Sequence, residues 1–499
     1  MAGNLFDAFA MDGGDRPLII GGDGLSYGKM VAESGRMANA LSALGVGRGD
    51  RVAVQVEKSV AALALYLATL RLGAIFVPLN TAYTLKELAF FVEDADPALV
   101  VVDPKIADDV GRFPGCAGRV GTIDATGQGS LVTEAEGQPQ GFDTVACGAD
   151  EVAVILYTSG TTGRPKGAML THGNLLANAE ALRDTWAFTD RDVLLHALPI
   201  YHAHGLFVAV NVTLLAGGAM RFLPRFDVDR VAVLLPGCTV MMGVPTFYVR
   251  LLAHAGLPVA ARPIRLFISG SAPLLPETHR AWKQATGHAI LERYGMTETS
   301  MLTSNPYAGE RVPGSVGFPL PGVCLRVTDP ETGRQLPRGE IGMIEVNGPN
   351  VFSGYWKLPD KTAEEFRADG YFITGDLGRI DERGYVHIVG RGKDMVITGG
   401  LNVYPREVEA EIDDLPGVVE SAVIGVPHDD FGEAVTAIVV PEARTHASEG
   451  DIIAGLSGRL SKFKQPKRVL FVDELPRNSM GKVQKNLLRD EYRALYAGS

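Results

Sequence analysis

The sequence predicts an α/β fold with a large domain followed by a small α+β one, and three observations carry that reading. Short apolar runs alternate with helix-period stretches over most of the chain ahead of Gly342, the rhythm of parallel strands joined by helical crossovers. From Gly342 onward the runs are short and parted by tight polar turns, and beyond Lys393 strands and helices alternate within a compact stretch. A chain of 499 residues also exceeds what one hydrophobic core usually supports, so two or more domains are expected.

Taken in order, residues 59–70 read as a helix, 74–77 as a strand, 152–156 as a strand, 174–185 as a helix and 193–197 as a strand. Residues 104–150 are weakly patterned and rich in Gly and Asp, which predicts a surface excursion rather than a domain boundary. Short strands follow at 341–346, 371–373 and 385–389, the last two separated by Asp381-Glu382-Arg383-Gly384. The last part reads as helix 405–413, strands 419–426 and 434–440, helix 451–460 and strand 468–472. A hinge is expected near Lys393, dividing 1–392 from 393–499. No repeat of fixed period and no low-complexity tract is present.

Composition excludes several classes. A formal net charge of −11 disfavours non-specific binding to nucleic acid or to anionic membrane, since both would be repelled. The longest apolar stretch, 60–70, ends at Arg71, short of the ~18 residues a membrane span needs. Cys116, Cys147, Cys238 and Cys324 have no Cys-x-x-Cys spacing, so neither structural zinc nor a disulfide framework is expected, and a reducing cytoplasm fits.

The most informative stretch is 157–167, reading Tyr-Thr-Ser-Gly-Thr-Thr-Gly-Arg-Pro-Lys-Gly and entered from an apolar strand. It offers hydroxyls, backbone N–H groups and two cations with no acidic or bulky side chain after Tyr157, which suits a polyphosphate. It is not a Walker loop, because Lys166 follows Arg-Pro and precedes Gly167.

Further along, Leu-Pro-Ile-Tyr-His-Ala-His-Gly at 198–205 follows a strand and opens an apolar helix. The His-x-His spacing of His202 and His204 puts both rings on one face if the segment is extended, yet no carboxylate or Cys lies nearby to complete a metal site. Ile-Ser-Gly-Ser-Ala-Pro-Leu at 268–274 is a strand and a small-residue turn against which a flat ring could lie. In 293–299, Arg-Tyr-Gly-Met-Thr-Glu-Thr, a carboxylate stands beside a hydroxyl; near a triphosphate this suits Mg²⁺, and alone it suits a helix cap. Asp376, set between glycines at a strand's end, can accept two hydrogen bonds from a vicinal diol, or serve a turn. Gly399 and Gly400 let the backbone approach a thin substrate closely.

These blocks, in this order, resemble those of the acyl-adenylate-forming enzymes, which include acyl-CoA synthetases, coumarate ligases and luciferases. The resemblance spans nearly the whole chain. It implies a large N-terminal adenylation domain of α/β subdomains with a small β-barrel-like part, and a mobile C-terminal lid. It also implies that ATP, Mg²⁺, a carboxylic acid and coenzyme A are the ligands, and that an acyl-adenylate forms before thioester transfer. By position, Thr158, Ser159, Gly160, Thr161, Thr162, Gly163 and Lys166 would hold the phosphates. Ser271, Ala272, Tyr294 and Gly295 would neighbour the adenine, and Asp376 and Arg391 the ribose. Glu298, with Thr162, would hold the metal, Thr297 would touch phosphate or acid, and Lys482 would be the catalytic cation. Gly399, Gly400 and Arg406 would serve the coenzyme A step, with Lys393 as pivot. His202, Ala203 and His204 would line the acid pocket.

Which acid is used depends on that pocket. In the segment 243–252 Pro245 suits a first helical turn, and Arg250 shares a helical face with Thr246 and Phe247, so it can look toward the preceding strand's end, or form a surface ion pair. A cation there would be out of place beside an aliphatic chain but suits a second carboxylate. Arg293 is a second candidate for that partner, and Met301 with Ala203 for the pocket floor. The runs 198–205, 243–252 and 292–305 most resemble those of malonate-activating members of the family. Malonate or methylmalonate is therefore the expected acid. A short-chain monocarboxylate is the alternative, and so is an amino acid loaded on a carrier protein, although the Asp expected to capture an α-amino group is replaced by Ala203.

Overall fold

The computed structural model describes residues 3–12, 14–22, 24–158, 165–399, 401–428, 430–442, 448–478 and 481–496. Ser159, Gly160, Thr161, Thr162, Gly163 and Gly400 therefore lie outside the described residues. Two compact units form: residues 1–324 with 347–372, and residues 325–346 with 373–499. The segments 325–346 and 373–392 are thus grouped with the C-terminal residues, ahead of Lys393.

Two sheets organise the first unit. In one, strands Val193–His196, Val240–Gly243, Leu266–Ser269 and Leu291–Met296 run parallel in that order, with Leu195 beside Met241, Met241 beside Phe267 and Ile268 beside Leu291. An antiparallel return, Ser300–Ser304, follows the last of them. In the other, Arg51–Gln55, Ile75–Pro78, Leu99–Val102 and Val152–Tyr157 are linked in parallel, and Gly167–Thr171 turns back antiparallel. These parallel strands are buried on both faces and read as continuous Val/Ile/Leu runs. The α/β expectation holds.

Local chemistry sets the element ends. Ser59 caps helix Val60–Arg71 by accepting from the Ala62 N–H, and Thr171 with Asn174 forms a capping box on helix His172–Thr185. Beneath the first sheet, Tyr248, Phe267 and Trp282 meet edge to face, with Trp282 4.9 Å from each of the others, and the Tyr248 hydroxyl donates to Ile268 O. Such pairs add ~0.5–1.5 kcal/mol each beyond area burial, and they fix the helix Pro245–Leu252 against strand Leu266–Ser269.

Three expectations need correction. The 104–150 excursion contributes an edge strand, Val120–Thr122, hidden in the sequence by Gly121. The strand expected at 371–373 runs on over Phe372–Ile380, because Gly375 at φ 72° and a register shift at Leu377/Gly378 absorb the glycines without ending the pairing. The helix expected at 451–460 is Glu449–Leu456; Ser448 starts it earlier by capping, and extended Ser457 with Gly458 at φ 84° ends it.

In the second unit, strands Val418–His428 and Gly432–Pro441 form a long antiparallel pair that Arg468–Phe471 joins in parallel, and helix Pro405–Asp413 packs Val408 and Ile412 against it. A separate four-stranded sheet carries the Phe372–Ile380 and Val386–Arg391 hairpin. No helix of the described residues is long and apolar enough to cross a membrane.

Candidate active site

The carboxyl ends of the parallel strands in the first unit carry most of the chemistry-bearing residues, the place where open α/β sheets present ligand sites. Strand Val193–His196 leads to His202, Ala203 and His204, strand Val240–Gly243 to the helix bearing Arg250, and strand Leu266–Ser269 to Ser271 and Ala272. Strand Leu291–Met296 carries Arg293, Tyr294 and Gly295 and leads to Thr297 and Glu298.

The histidine segment is not extended. Residues 201–203 turn into a helix that runs as a π-helix over His204–Val210, so the two rings do not share a face; His202 is half-buried and His204 is 1 % exposed. His204 Nδ1 lies 3.2 Å from Ser271 Oγ. Burial, then the charges of Arg293, His202 and His196, hold His204 well below the usual imidazole range, so it is neutral. Ser271 sits at φ 71°, a left-handed conformation unusual for a residue with a side chain.

Arg293 is the most telling group here. It is 4 % exposed, and neither Nε nor Nη2 has a hydrogen-bond partner among the described residues; the same is true of His204 Nε2 and Ser269 Oγ. Burial with no carboxylate beside it pulls the guanidinium down to about 9, so it stays charged at neutral pH. An uncompensated buried charge costs on the order of 3–5 kcal/mol relative to a paired one. The guanidinium packs directly over Gly270, where a Cβ would come within 2.3 Å of Arg293 Cζ, so a larger residue there would make the arginine shift.

Arg250 is placed differently. The buried residues of helix Pro245–Leu252 are Tyr248 and Leu251, and Phe247 stacks on Phe226 at 3.8 Å. Arg250 lies exposed beside Val249, and no hydrogen bond or ion pair joins it to a described residue. Met301 is buried opposite Gly295 across the hairpin, with Asn178 holding its backbone on both sides.

The strands that flank the stretch read as a phosphate loop, Val152–Tyr157 and Gly167–Thr171, pair antiparallel. Tyr157 pairs with Gly167, Thr158 N–H donates to Lys166 O at 2.9 Å, and Lys166 N–H donates to Thr158 Oγ1 at 3.3 Å. Lys166 Nζ donates to Glu365 Oε1 at 2.9 Å and stands 4.0 Å from the Tyr355 ring centre. The Tyr355 hydroxyl lies 3.0 Å from Glu298 Oε1 and 3.2 Å from Glu365 Oε2. Burial raises Glu365, but Lys166 and Lys361 outweigh it and hold the carboxyl below its usual range. Glu298 is 6 % exposed, and its segment is a tight turn between strands, not a helix start. A buried single carboxylate flanked by hydroxyls fits Mg²⁺ that also takes phosphate oxygens and water, whereas no group of three or more His, Cys, Asp and Glu among the described residues would hold a metal alone.

Asp376, Arg391, Lys393, Gly399, Arg406 and Lys482 belong to the second unit. Asp376 faces Arg391 across its hairpin, with Arg391 Nε 2.7 Å from Asp376 Oδ1. Lys482 is held in a tight turn in which Asn478 Oδ1 accepts from its N–H at 3.0 Å and Gly481 adopts φ 74°. Although Lys393 reaches the surface, desolvation and then the charges of Arg391, Lys482 and Arg489 pull its ammonium down to about 8. Lys485, near in sequence to Lys482, is committed to Glu409 at 2.5 Å, and Glu409 is also 3.8 Å from Arg406. Gly399 takes φ 57° in the turn between strands Val396–Thr398 and Leu401–Val403. Tyr355 and Glu365 escaped the sequence reading: Gly354-Tyr355-Trp356 could have drawn attention as an aromatic pair after glycine, but Glu365 sits in an acidic helix end with no distinguishing signal.

Parallel strands with polar groups at their carboxyl ends, followed by a smaller α+β unit, fit the fold of an adenylate-forming enzyme. The chain belongs to the AMP-binding enzyme family, whose profile matches residues 6–356, with the AMP-binding enzyme C-terminal domain matching 407–482. Its similarity to solved structures includes the ATP-bound MatB protein of Rhodopseudomonas palustris, at 60 % identity and a TM-score of 0.98 over 99 % of this chain and all of that one. A malonate–CoA ligase of Arabidopsis thaliana is 34 % identical over 92 % of this chain and 81 % of its own length. A feruloyl-CoA synthase of an Amycolatopsis species is 38 % identical over 95 % of each.

Proposed function

We propose that this chain ligates malonate to coenzyme A with ATP, releasing AMP and pyrophosphate, and that methylmalonate is the nearest competing acid. The observation that carries the choice of acid is Arg293, a buried cation with unpartnered nitrogens beside neutral His204. One malonate carboxylate reacts; the other supplies the charge that Arg293 lacks. Ferulate and short monocarboxylates have no second carboxylate to offer. Arg250, being exposed, is the second choice for that partner.

In the first step a carboxylate oxygen attacks the α-phosphorus of ATP and the P–O bond to pyrophosphate breaks. In the second, the sulfur of coenzyme A attacks the acyl carbon and AMP leaves. The enzyme's part in the first step is positional and electrostatic, since charge spreads over phosphate oxygens as the bond forms. Lys166 and the loop from Thr158 through Thr162 and Gly163 hold the phosphates, and Lys482 draws carboxylate and α-phosphate together. Glu298, with Thr162 from the phosphate loop, would hold Mg²⁺, which when bound supplies positive charge to the phosphates, and Thr297 touches phosphate or the acid. Ser271, Ala272, Tyr294 and Gly295 receive the adenine, and Asp376 with Arg391 the ribose. His202 gates the acid pocket, while Ala203 and Met301 floor it.

Residues 1–392 carry out adenylation and 393–499 form a lid that pivots at Lys393, with Gly399, Gly400 and Arg406 serving the thiol step. The cytoplasm is its proposed location, in keeping with four free cysteines. Pyrophosphate release with and without coenzyme A, over malonate, methylmalonate, propionate, butyrate and ferulate, tests the whole. Malonate or methylmalonate should lead by well over tenfold, the worth of a desolvated charge pair. Equal use of butyrate or ferulate would overturn the assignment of the acid.

A further inference from the structure

A run of four side chains in the first unit joins the phosphate-loop lysine to the carboxylate proposed for magnesium: Lys166, Glu365, Tyr355 and Glu298. The fold, more than the side chains, puts them together. Gly354–Tyr355 pairs antiparallel with the strand that leaves the phosphate loop, Tyr355 opposite Ala168, and Trp356 N–H donates to Gly167 O at 2.8 Å. Tyr355 is 2 % exposed, so its ring and hydroxyl are held. Thr362 Oγ1 accepts from Tyr355 N–H at 2.9 Å, which ties the helix Pro359–Glu364, and with it Glu365, to the same strand.

Lysine is a long side chain whose ammonium is hard to place, and much of what it gains from a phosphate is offset by ordering it at the moment of binding. Here that ordering is done in advance. Glu365 takes one N–H and the Tyr355 ring lies under the ammonium, and since an ammonium has three donors, a phosphate can be met without breaking the ion pair. The other end of the run is equally specific. A phenol has one proton, so the Tyr355 hydroxyl donates to one of its two carboxylate neighbours at a time. A change at Glu298 is thereby felt at Glu365.

We propose that Glu365 is a positioning residue that fixes Lys166 for the triphosphate, and that the Tyr355 hydroxyl couples this to the metal carboxylate Glu298. The inference rests on the nucleotide assignment made above. It is tested by calorimetric titration of ATP into the full-length protein, first in EDTA and then across a magnesium series, beside melting temperatures for every variant. Glu365→Gln preserves shape and removes the charge; metal-free ATP affinity should fall about tenfold, the scale of one charge-assisted hydrogen bond. On a Lys166→Ala background the same change should add less than about twofold, because both act through one ammonium. Tyr355→Phe keeps the ring; it should leave metal-free affinity within about twofold and shift the magnesium dependence severalfold. Glu365→Gln binding ATP as well as the parent, or better, would overturn the role, as would additivity with Lys166→Ala. A Tyr355→Phe variant with unchanged magnesium dependence would overturn the coupling. If the parent itself bound no ATP, the nucleotide assignment would fall instead.

Discussion

The first unit buries the acid-pocket candidates Arg293 and His204 near strand ends, while the second sets Asp376, Arg391 and Lys482 on hairpins and turns. Arg293 and His204 are almost wholly buried and hold their places with nitrogens unsatisfied. Asp376 and Arg391 are joined to each other, Arg489 is joined to Asp394, and the Lys482 N–H donates to Asn478 Oδ1. A group fixed by a core can select a substrate but cannot exchange one role for another; a group on a turn can be presented or withdrawn. On the proposed roles, the first unit would serve recognition of the acid and the second would serve timing. Substitutions in the first should change which acid is used, and substitutions in the second should separate the two half-reactions.

The sharpest test is Lys482→Ala. Adenylate formation from malonate and ATP should fall by about 10² or more, the scale of one lost transition-state contact, while thioester formation from supplied malonyl-adenylate is nearly spared. Single-turnover kinetics of each step decides it. If both steps fall together, timing is not what the second unit contributes, and Lys482 acts structurally or in thiol transfer.

Arg293→Met comes next. Malonate use should drop well over tenfold relative to propionate, and the melting temperature should rise because an uncompensated charge has left the interior. Arg250→Ala should change the same ratio only a few fold. Reversed magnitudes would move the second carboxylate to Arg250. A fall in melting temperature for Arg293→Met would mean that the guanidinium is paired in solution and that the pocket is not held open.

Lys393→Pro fixes one φ angle and removes a donor at the proposed pivot. The thioester step should slow more than adenylation, by about tenfold, within the coupling range of such transitions. Equal slowing would place the pivot elsewhere.

The smallest effect on activity is expected at Asp413, which burial drives up to about 7 despite the Ser421 hydroxyl and the Arg406 charge. Its carboxyl binds a proton more tightly folded than unfolded, so between about pH 4 and 7 the folded state holds the extra proton and stability declines as pH rises, levelling above that. Urea unfolding across that range should show parent stability falling relative to Asp413→Asn as pH rises, with both half-reactions intact in the variant. Parallel pH dependences for parent and variant would contradict this burial.

Much of this was readable from residue order. Strand and helix positions in the parallel sheets came through because continuous apolar runs and Ser or Thr caps are local signals, and helix Pro405–Asp413 was legible to the residue. The family was legible too, since its blocks are contiguous. What escaped was set by distance. Glu365 meets Lys166 only through the pairing of Tyr355 with Ala168, and no local pattern announces a partner 199 positions away. The histidine segment was read as opening a helix and does so, but its π-helical form was not legible, because a π-helical turn has no distinctive sequence. Arg250 was placed ahead of Arg293, although it is the exposed one of the two, since helical spacing gives a face and not its depth.

Gly270 gives the pocket a property that concerns inheritance more than chemistry. Any side chain at that position would collide with the guanidinium behind it. The two positions are therefore coupled in descent: enlarging residue 270 makes the arginine move, so a library that probes either position should vary both together.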